Sequence, residues 1–128
     1  MRLLGIDFGS KRVGIALSDE AGMMAFPHGV LLNDADLVRH ITTLVESKSV
    51  TTIVIGESLG RDGEPNPIHA QVEEFVADMT LQVGIPIEFE PEQYTTQEAI
   101  RVQGRNAHVD ASAAAIILNS YITRHKTA

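Results

Sequence analysis

The chain has 128 residues with 44% hydrophobic and 21% charged side chains, a size and composition that fit one globular domain over residues 1–128 and exclude global disorder or a separate cofactor lobe. No apolar run approaches the ~20 residues that span a bilayer, and Asp7 interrupts the first apolar stretch, so the reading is cytoplasmic with no membrane partner. The net charge of −7, from 10 Lys+Arg against 17 Asp+Glu, argues against a uniformly basic nucleic-acid surface, and the absence of Cys excludes disulfides, thiolate metal sites and Cys nucleophiles.

Residues 2–8 are apolar and β-rich, the segment 9–12 interrupts them, and 13–18 resume the pattern, which predicts a hairpin. A third strand is expected over 23–30 after the turn cluster 19–22, and Pro27 suits an edge or a bulge, where a backbone donor is not needed. From Asn33 or Asp34, either able to cap a helix, Leu37, Val38, Ile41, Leu44 and Val45 recur at helical spacing. The β-branched run from Val50 to Ile55 reads as a strand covered on both faces and ends at Gly56.

A Gly- and Pro-rich loop over 57–67 precedes a second amphipathic helix carrying Ile68, Val72, Phe75, Val76 and Met79, with Gly84 as its stop. Ordinary connection is the plainer role of that loop, although its glycines can also bring backbone N–H groups to a phosphate. A fifth strand is expected over 85–90, then a short helix over 97–103 capped by Thr95 or Thr96 and closed by Gly104. The last helix runs from about Asp110, with Ala111, Ala114, Ala115, Leu118 and Ile122 forming a small-residue stripe that permits close approach to a sheet. The order βββ-α-β-α-β-α-α predicts an α/β fold: a five-stranded mixed sheet, an antiparallel meander plus parallel strands, flanked by helices. In such a sheet the first strand borders the crevice outside the carboxyl ends of the parallel strands.

Asp7 stands in an otherwise apolar strand, where a carboxylate costs several kcal/mol unless it is compensated, by a cation or by hydrogen bonds within its own turn. Glu92 follows the fifth strand and Asp110 opens the last helix, so both can reach the same end of the sheet. Three converging carboxylates repel one another unless divalent ions sit among them, and magnesium or manganese accepts an all-oxygen site and keeps waters for phosphate. Taken singly, Glu92 as a solvated loop acid and Asp110 as a helix cap remain the plainer readings. The five His lack pairing on one helix face, and no P-loop, G-x-G-x-x-G or G-x-S-x-G motif is present.

The run Gly5-Ile6-Asp7-Phe8-Gly9-Ser10-Lys11-Arg12-Val13-Gly14-Ile15-Ala16-Leu17-Ser18-Asp19 resembles the opening signature of the YqgF (RuvX) family, RNase H-like proteins related to RuvC-type Holliday junction resolvases. Further matches are Val54-Ile55-Gly56, Asp62-Gly63, Ala70-Gln71 with Phe75, Thr95-Thr96 with Glu98-Ala99, and Asp110-Ala111 with 113–118. The resemblance implies an RNase H-like fold and a nuclease that matures the 5′ end of pre-16S ribosomal RNA, with Holliday junction cleavage as the older proposal. It assigns Asp7, Glu92 and Asp110 to an acidic metal-binding triad. Its implied partners are pre-rRNA and ribosomal precursor particles, with the protein a monomer or homodimer.

Ser10, Lys11, Arg12, Thr95 and Thr96 are the candidate substrate-binding residues. The chain departs from the family pattern at Pro91-Glu92-Gln93, where Asp-Glu-Arg is usual, and at Glu57-Ser58, where an apolar residue and Pro are usual. The first change removes a bidentate phosphate contact but keeps the central acid. Two other readings are a nucleotide-binding module, because Asp7-x-Gly9-Ser10 also resembles the first phosphate loop of actin-like and sugar-kinase ATPases, and a non-catalytic RNA-binding assembly factor. The first of these needs two lobes, and so a homodimer of this chain.

Overall fold

A computed structural model describes residues 1–9, 11–57, 69–91 and 107–125, with the backbone course alone for 57, 69 and 107–110. Its elements are β1 (Arg2–Phe8), β2 (Arg12–Ser18), β3 (Ala25–Leu32), α1 (Leu37–Ser47), β4 (Val50–Glu57), α2 (His69–Gln82), β5 (Ile87–Pro91) and α3 (Ala107–His125). The five strands form one sheet in the order β3-β2-β1-β4-β5. The β1–β2 and β2–β3 pairs are antiparallel, and the β1–β4 and β4–β5 pairs are parallel. This is the mixed sheet expected from the meander and the two crossovers, while the helix expected over 97–103 falls outside the described residues.

Side chains alternate across the sheet and build two cores. Leu4, Ile6, Val13, Ile15, Ile53 and Ile55 face α1 and α2, which cover them with residues such as Ile41, Val45, Phe75 and Met79. Leu3, Ala16 and Val54 face α3 and pack with Ala114, Ala115, Leu118 and Ile122. The run in β4 therefore has apolar neighbours on both faces, as its composition demands. The Ala-rich stripe of α3 lets helix and sheet approach until side chains nearly vanish between them. A Cβ added at Gly5 would lie 2.8 Å from the Leu118 Cβ and 3.0 Å from the Ala114 carbonyl oxygen.

Several boundaries differ from the sequence expectation, each for a local reason. β3 runs over 25–32 rather than 23–30, because the N–H groups of Met23 and Met24 donate to the Asp19 carboxylate at 2.8 and 3.2 Å and close the turn instead of a ladder. Those bonds, Met23 first, hold the Asp19 carboxyl below its ordinary pKa. The β2–β3 register shifts between Ile15 and Ala16, opposite Gly29 and Pro27. Pro27 thus sits beside a bulge in an edge strand, where its missing N–H is tolerated.

α1 begins at Leu37, not at Asn33 or Asp34. The Asn33 amide donates to the Gly9 carbonyl at 2.7 Å, and the Asp34 carboxylate accepts the Asp36 N–H at 3.0 Å, so both side chains are engaged before the helix starts. β5 begins at Ile87 because Pro86 cannot donate to the ladder, although its carbonyl accepts the Ile53 N–H at 3.0 Å. α3 begins at Ala107, so Asp110 lies within its first turn and does not cap it.

The Gly5 contact generates a direct prediction. Gly5→Ala should lower unfolding free energy by about 1–3 kcal/mol in urea titration, the usual range for overpacking, because the Ala114 carbonyl is backbone and cannot yield. Adding Leu118→Ala should recover only part of the loss.

Candidate active site

Asp7 is the penultimate residue of β1 and is 4% exposed. Alternation sets it on the face of Leu3 and Gly5, the face that α3 covers. It pairs across β2 with Gly14, so the nearest neighbour on that side has no side chain. One step beyond the Ile6–Ile55 pair, the parallel register sets Asp7 level with Gly56, which itself pairs with Glu90 on β5. Two buried carboxylates therefore occupy one level of the sheet on one face, roughly 10 Å apart at two strand spacings. A glycine lies between them.

Glu90 was not singled out by sequence reasoning, and it is fully buried at 0% exposure. Its Oε2 accepts a hydrogen bond from the Ser120 hydroxyl at 2.8 Å, and its Oε1 ion-pairs with Arg124 at 2.9 Å. Arg124 keeps about half its side chain in solvent, 53% exposed. Next to this pair the Tyr121 hydroxyl donates to Glu88 Oε2, and the Tyr121 and His125 rings stack with centroids 4.0 Å apart. Burial first, then the bond to Glu88 and the charges of Glu88 and Glu90, push the Tyr121 phenol up to about 12. The available signal was the alternation Ile87-Glu88-Phe89-Glu90 facing Ser120 and Arg124, one turn apart on α3.

Of the predicted substrate residues, Arg12 opens β2 two positions before Gly14, on the Asp7 face, and is partly buried. Lys11 precedes the strand, is exposed, and accepts the Asn33 N–H on its carbonyl at 3.0 Å. Lys11 thus stands just outside the strand that Arg12 opens. Ser10, Glu92, Thr95 and Thr96 lie outside the described residues, as does the side chain of Asp110. Among the described residues no group of three or more His, Asp and Glu is close enough to hold an ion, and no helix is long and apolar enough to cross a membrane.

A concavity opens at the same end of the sheet on the face opposite Asp7. Phe8, Asn33, Asp34, Gln71, Glu74 and Asp78 line it, and Phe8 packs on Phe75 with ring centroids 5.3 Å apart. Its acids belong to α2 and the turn before α1. The sheet separates them from Asp7.

The family model of RuvX, described as Holliday junction resolvase, matches residues 1–124. The chain belongs to the RuvX family. RuvX membership sets it among nucleases, enzymes that hydrolyse phosphodiester bonds. It is 34% identical over 135 residues to a protein from Maridesulfovibrio salexigens, covering 97% of this chain and 99% of the relative. It is 36% identical over 133 residues to one from Oleidesulfovibrio alaskensis, covering 95% and 92%. Both relatives are named as candidate pre-16S rRNA nucleases.

Among solved structures, Thermus thermophilus RuvC in complex with a Holliday junction substrate superposes with a TM-score of 0.65 at 14% identity, covering 98% of this chain and 96% of that one. The fowlpox virus resolvase with Holliday junction DNA gives 0.59 at 10% identity, covering 97% and 98%. These likenesses establish the fold, the RNase H-like architecture of RuvC-type resolvases.

Two predictions come from the buried pairs. Arg124→Ala leaves one oxygen of the fully buried Glu90 without its partner, and should cost about 1–3 kcal/mol of unfolding free energy. In a phenolate absorbance titration, Tyr121 should ionise near pH 12. Because its pKa is raised on folding, its contribution to stability is complete below about pH 10 and is lost as pH climbs from 10 towards 12, an alkaline loss that Tyr121→Phe should abolish.

Proposed function

We propose that this chain is a metal-dependent endonuclease that hydrolyses phosphodiester bonds at the 5′ end of pre-16S rRNA, acting in the cytoplasm on ribosomal precursors. The observation that carries the reading is Asp7: a carboxylate buried at the carboxyl end of β1, on the α3 face, in a RuvX-family chain. A buried carboxylate needs a compensating cation or hydrogen-bond set, and its oxygen donors match the preference of magnesium or manganese. The names carried by the relatives favour RNA as the substrate.

Asp7, Glu92 and Asp110 are the residues assigned to hold the ions. When bound, divalent metal lowers the pKa of a water and neutralises charge that develops on the phosphate. Hydrolysis then joins the water oxygen to phosphorus and breaks the opposite P–O bond, with a proton delivered to the departing oxygen. Asp7 orients the reacting end from a rigid strand, and its burial excludes competing water. Arg12, on the same face two residues beyond the Asp7–Gly14 pair, is placed to hold a phosphate oxygen, with Ser10, Lys11, Thr95 and Thr96 assigned to flanking phosphates. With a net charge of −7, backbone binding should be weak and salt-sensitive.

The test is cleavage of an end-labelled pre-16S leader RNA and a four-way DNA junction by wild type and Asp7→Asn, with magnesium, manganese or chelator. The expected result is metal-dependent cutting of the RNA, reduced at least about 100-fold in the variant, with an unfolding temperature equal to or above that of wild type because a repelling charge is gone. Preferential cutting of the junction would replace the RNA assignment with the resolvase activity in the family's description. Cutting that survives in chelator, or in Asp7→Asn, would contradict the mechanism.

A further inference from the structure

Glu90 is buried more completely than Asp7, although it sits in an edge strand where a carboxylate would reach water by turning outward. Buried ion pairs are poor devices for stability, since an apolar side chain of similar volume commonly serves as well or better. What such a pair adds is direction. The Glu90 oxygens grip two residues one turn apart on α3, Ser120 through Oε2 and Arg124 through Oε1, so β5 can neither slide along nor roll against the helix without breaking one of the contacts. The neighbouring bond from Tyr121 to Glu88 fixes the same strand a second time. On the other side of β4, the close approach of Gly5 to Ala114 and Leu118 fixes α3 against β1.

These contacts key β1, β5 and α3 together. Asp7 is the penultimate residue of β1, Glu92 follows Glu90 by two residues in the chain, and Asp110 lies in the first turn of α3. We propose that Glu90 is a positioning residue for the acidic site: its grip on Ser120 and Arg124 sets the carboxyl end of β5 relative to α3, and so sets Glu92 and Asp110 relative to Asp7. The inference rests on the metal-dependent reading above. Glu90 is not itself assigned as a ligand, because each of its oxygens already has a partner on α3.

The experiment compares thermal unfolding of wild type, Glu90→Met and Glu90→Gln in chelator and across a manganese titration. Glu90→Met replaces a buried charge by an apolar chain of similar length, and the freed Arg124 is exposed enough to hydrate, so melting in chelator should match or exceed wild type. The manganese concentration that gives half of the ion-induced shift should nevertheless rise at least about tenfold, the effect usual for residues that orient metal ligands. Glu90→Gln keeps an acceptor for the α3 donors and should fall between the two. A Glu90→Met protein with the wild-type manganese midpoint overturns the positioning role and leaves the metal reading standing. A wild type that manganese does not stabilise overturns the metal reading and this inference with it. If Glu90→Met fails to fold, Ser120→Ala, which removes one contact and keeps the ion pair, decides the question: a raised midpoint at unchanged melting supports the grip, and an unchanged midpoint overturns it.

Discussion

The backbones of β1 and α3 meet at Gly5, where a methyl group would collide with the Leu118 side chain and the Ala114 carbonyl. That approach fixes the depth at which α3 lies on the sheet. Leu3, Ala16 and Val54 close around it from the strands, with Ala115 and Ile122 from the helix. The opposite face tolerates bulk, and Ile6, Ile53, Ile55, Phe75 and Met79 fill the larger gap under α1 and α2. The asymmetry follows from composition, since Ala-rich and Ile-rich faces cannot pack at the same distance. Its consequence for chemistry is that the first turn of α3 and the end of β1 belong to one rigid unit.

Charge burial is the second constraint. In a chain with excess negative charge, placing Asp7 and Glu90 at one level of the sheet opposes folding unless each is compensated. For Glu90 the compensation is internal and permanent, through Arg124 and Ser120. For Asp7 the proposal assigns it to divalent ions, which makes its environment responsive to metal and substrate. The same sheet thus uses one buried carboxylate to lock two elements together and another to do chemistry. The cross-strand neighbours of Asp7 at positions 14 and 56 are glycines and bring no side chain of their own.

Much of this was legible in the sequence. Strand runs, the change to helical spacing after Asn33, the edge position of Pro27 and the small-residue stripe of the last helix all have single-residue causes, and the fold follows from their order. Asp7 was legible too, because an acid inside an apolar strand is costly wherever the strand goes. Boundaries were less so, since Asp19, Asn33 and Asp34 spend their side chains on turn hydrogen bonds that only the folded chain defines. Glu90 carries no local mark that sets it apart from Glu88, two residues earlier. Its burial depends on Ser120 and Arg124, 30 or more residues away, and tertiary pairing of that kind leaves no local periodicity.

The central claim is that divalent ions sit at Asp7, and anomalous diffraction from crystals soaked in manganese tests it most directly. The account predicts a peak about 2–2.3 Å from an Asp7 carboxylate oxygen, with Glu92 and Asp110 as further ligands, and no peak there in Asp7→Asn. A peak confined to the opposite face, among Asp34, Glu74 and Asp78, with nothing at Asp7, would contradict it.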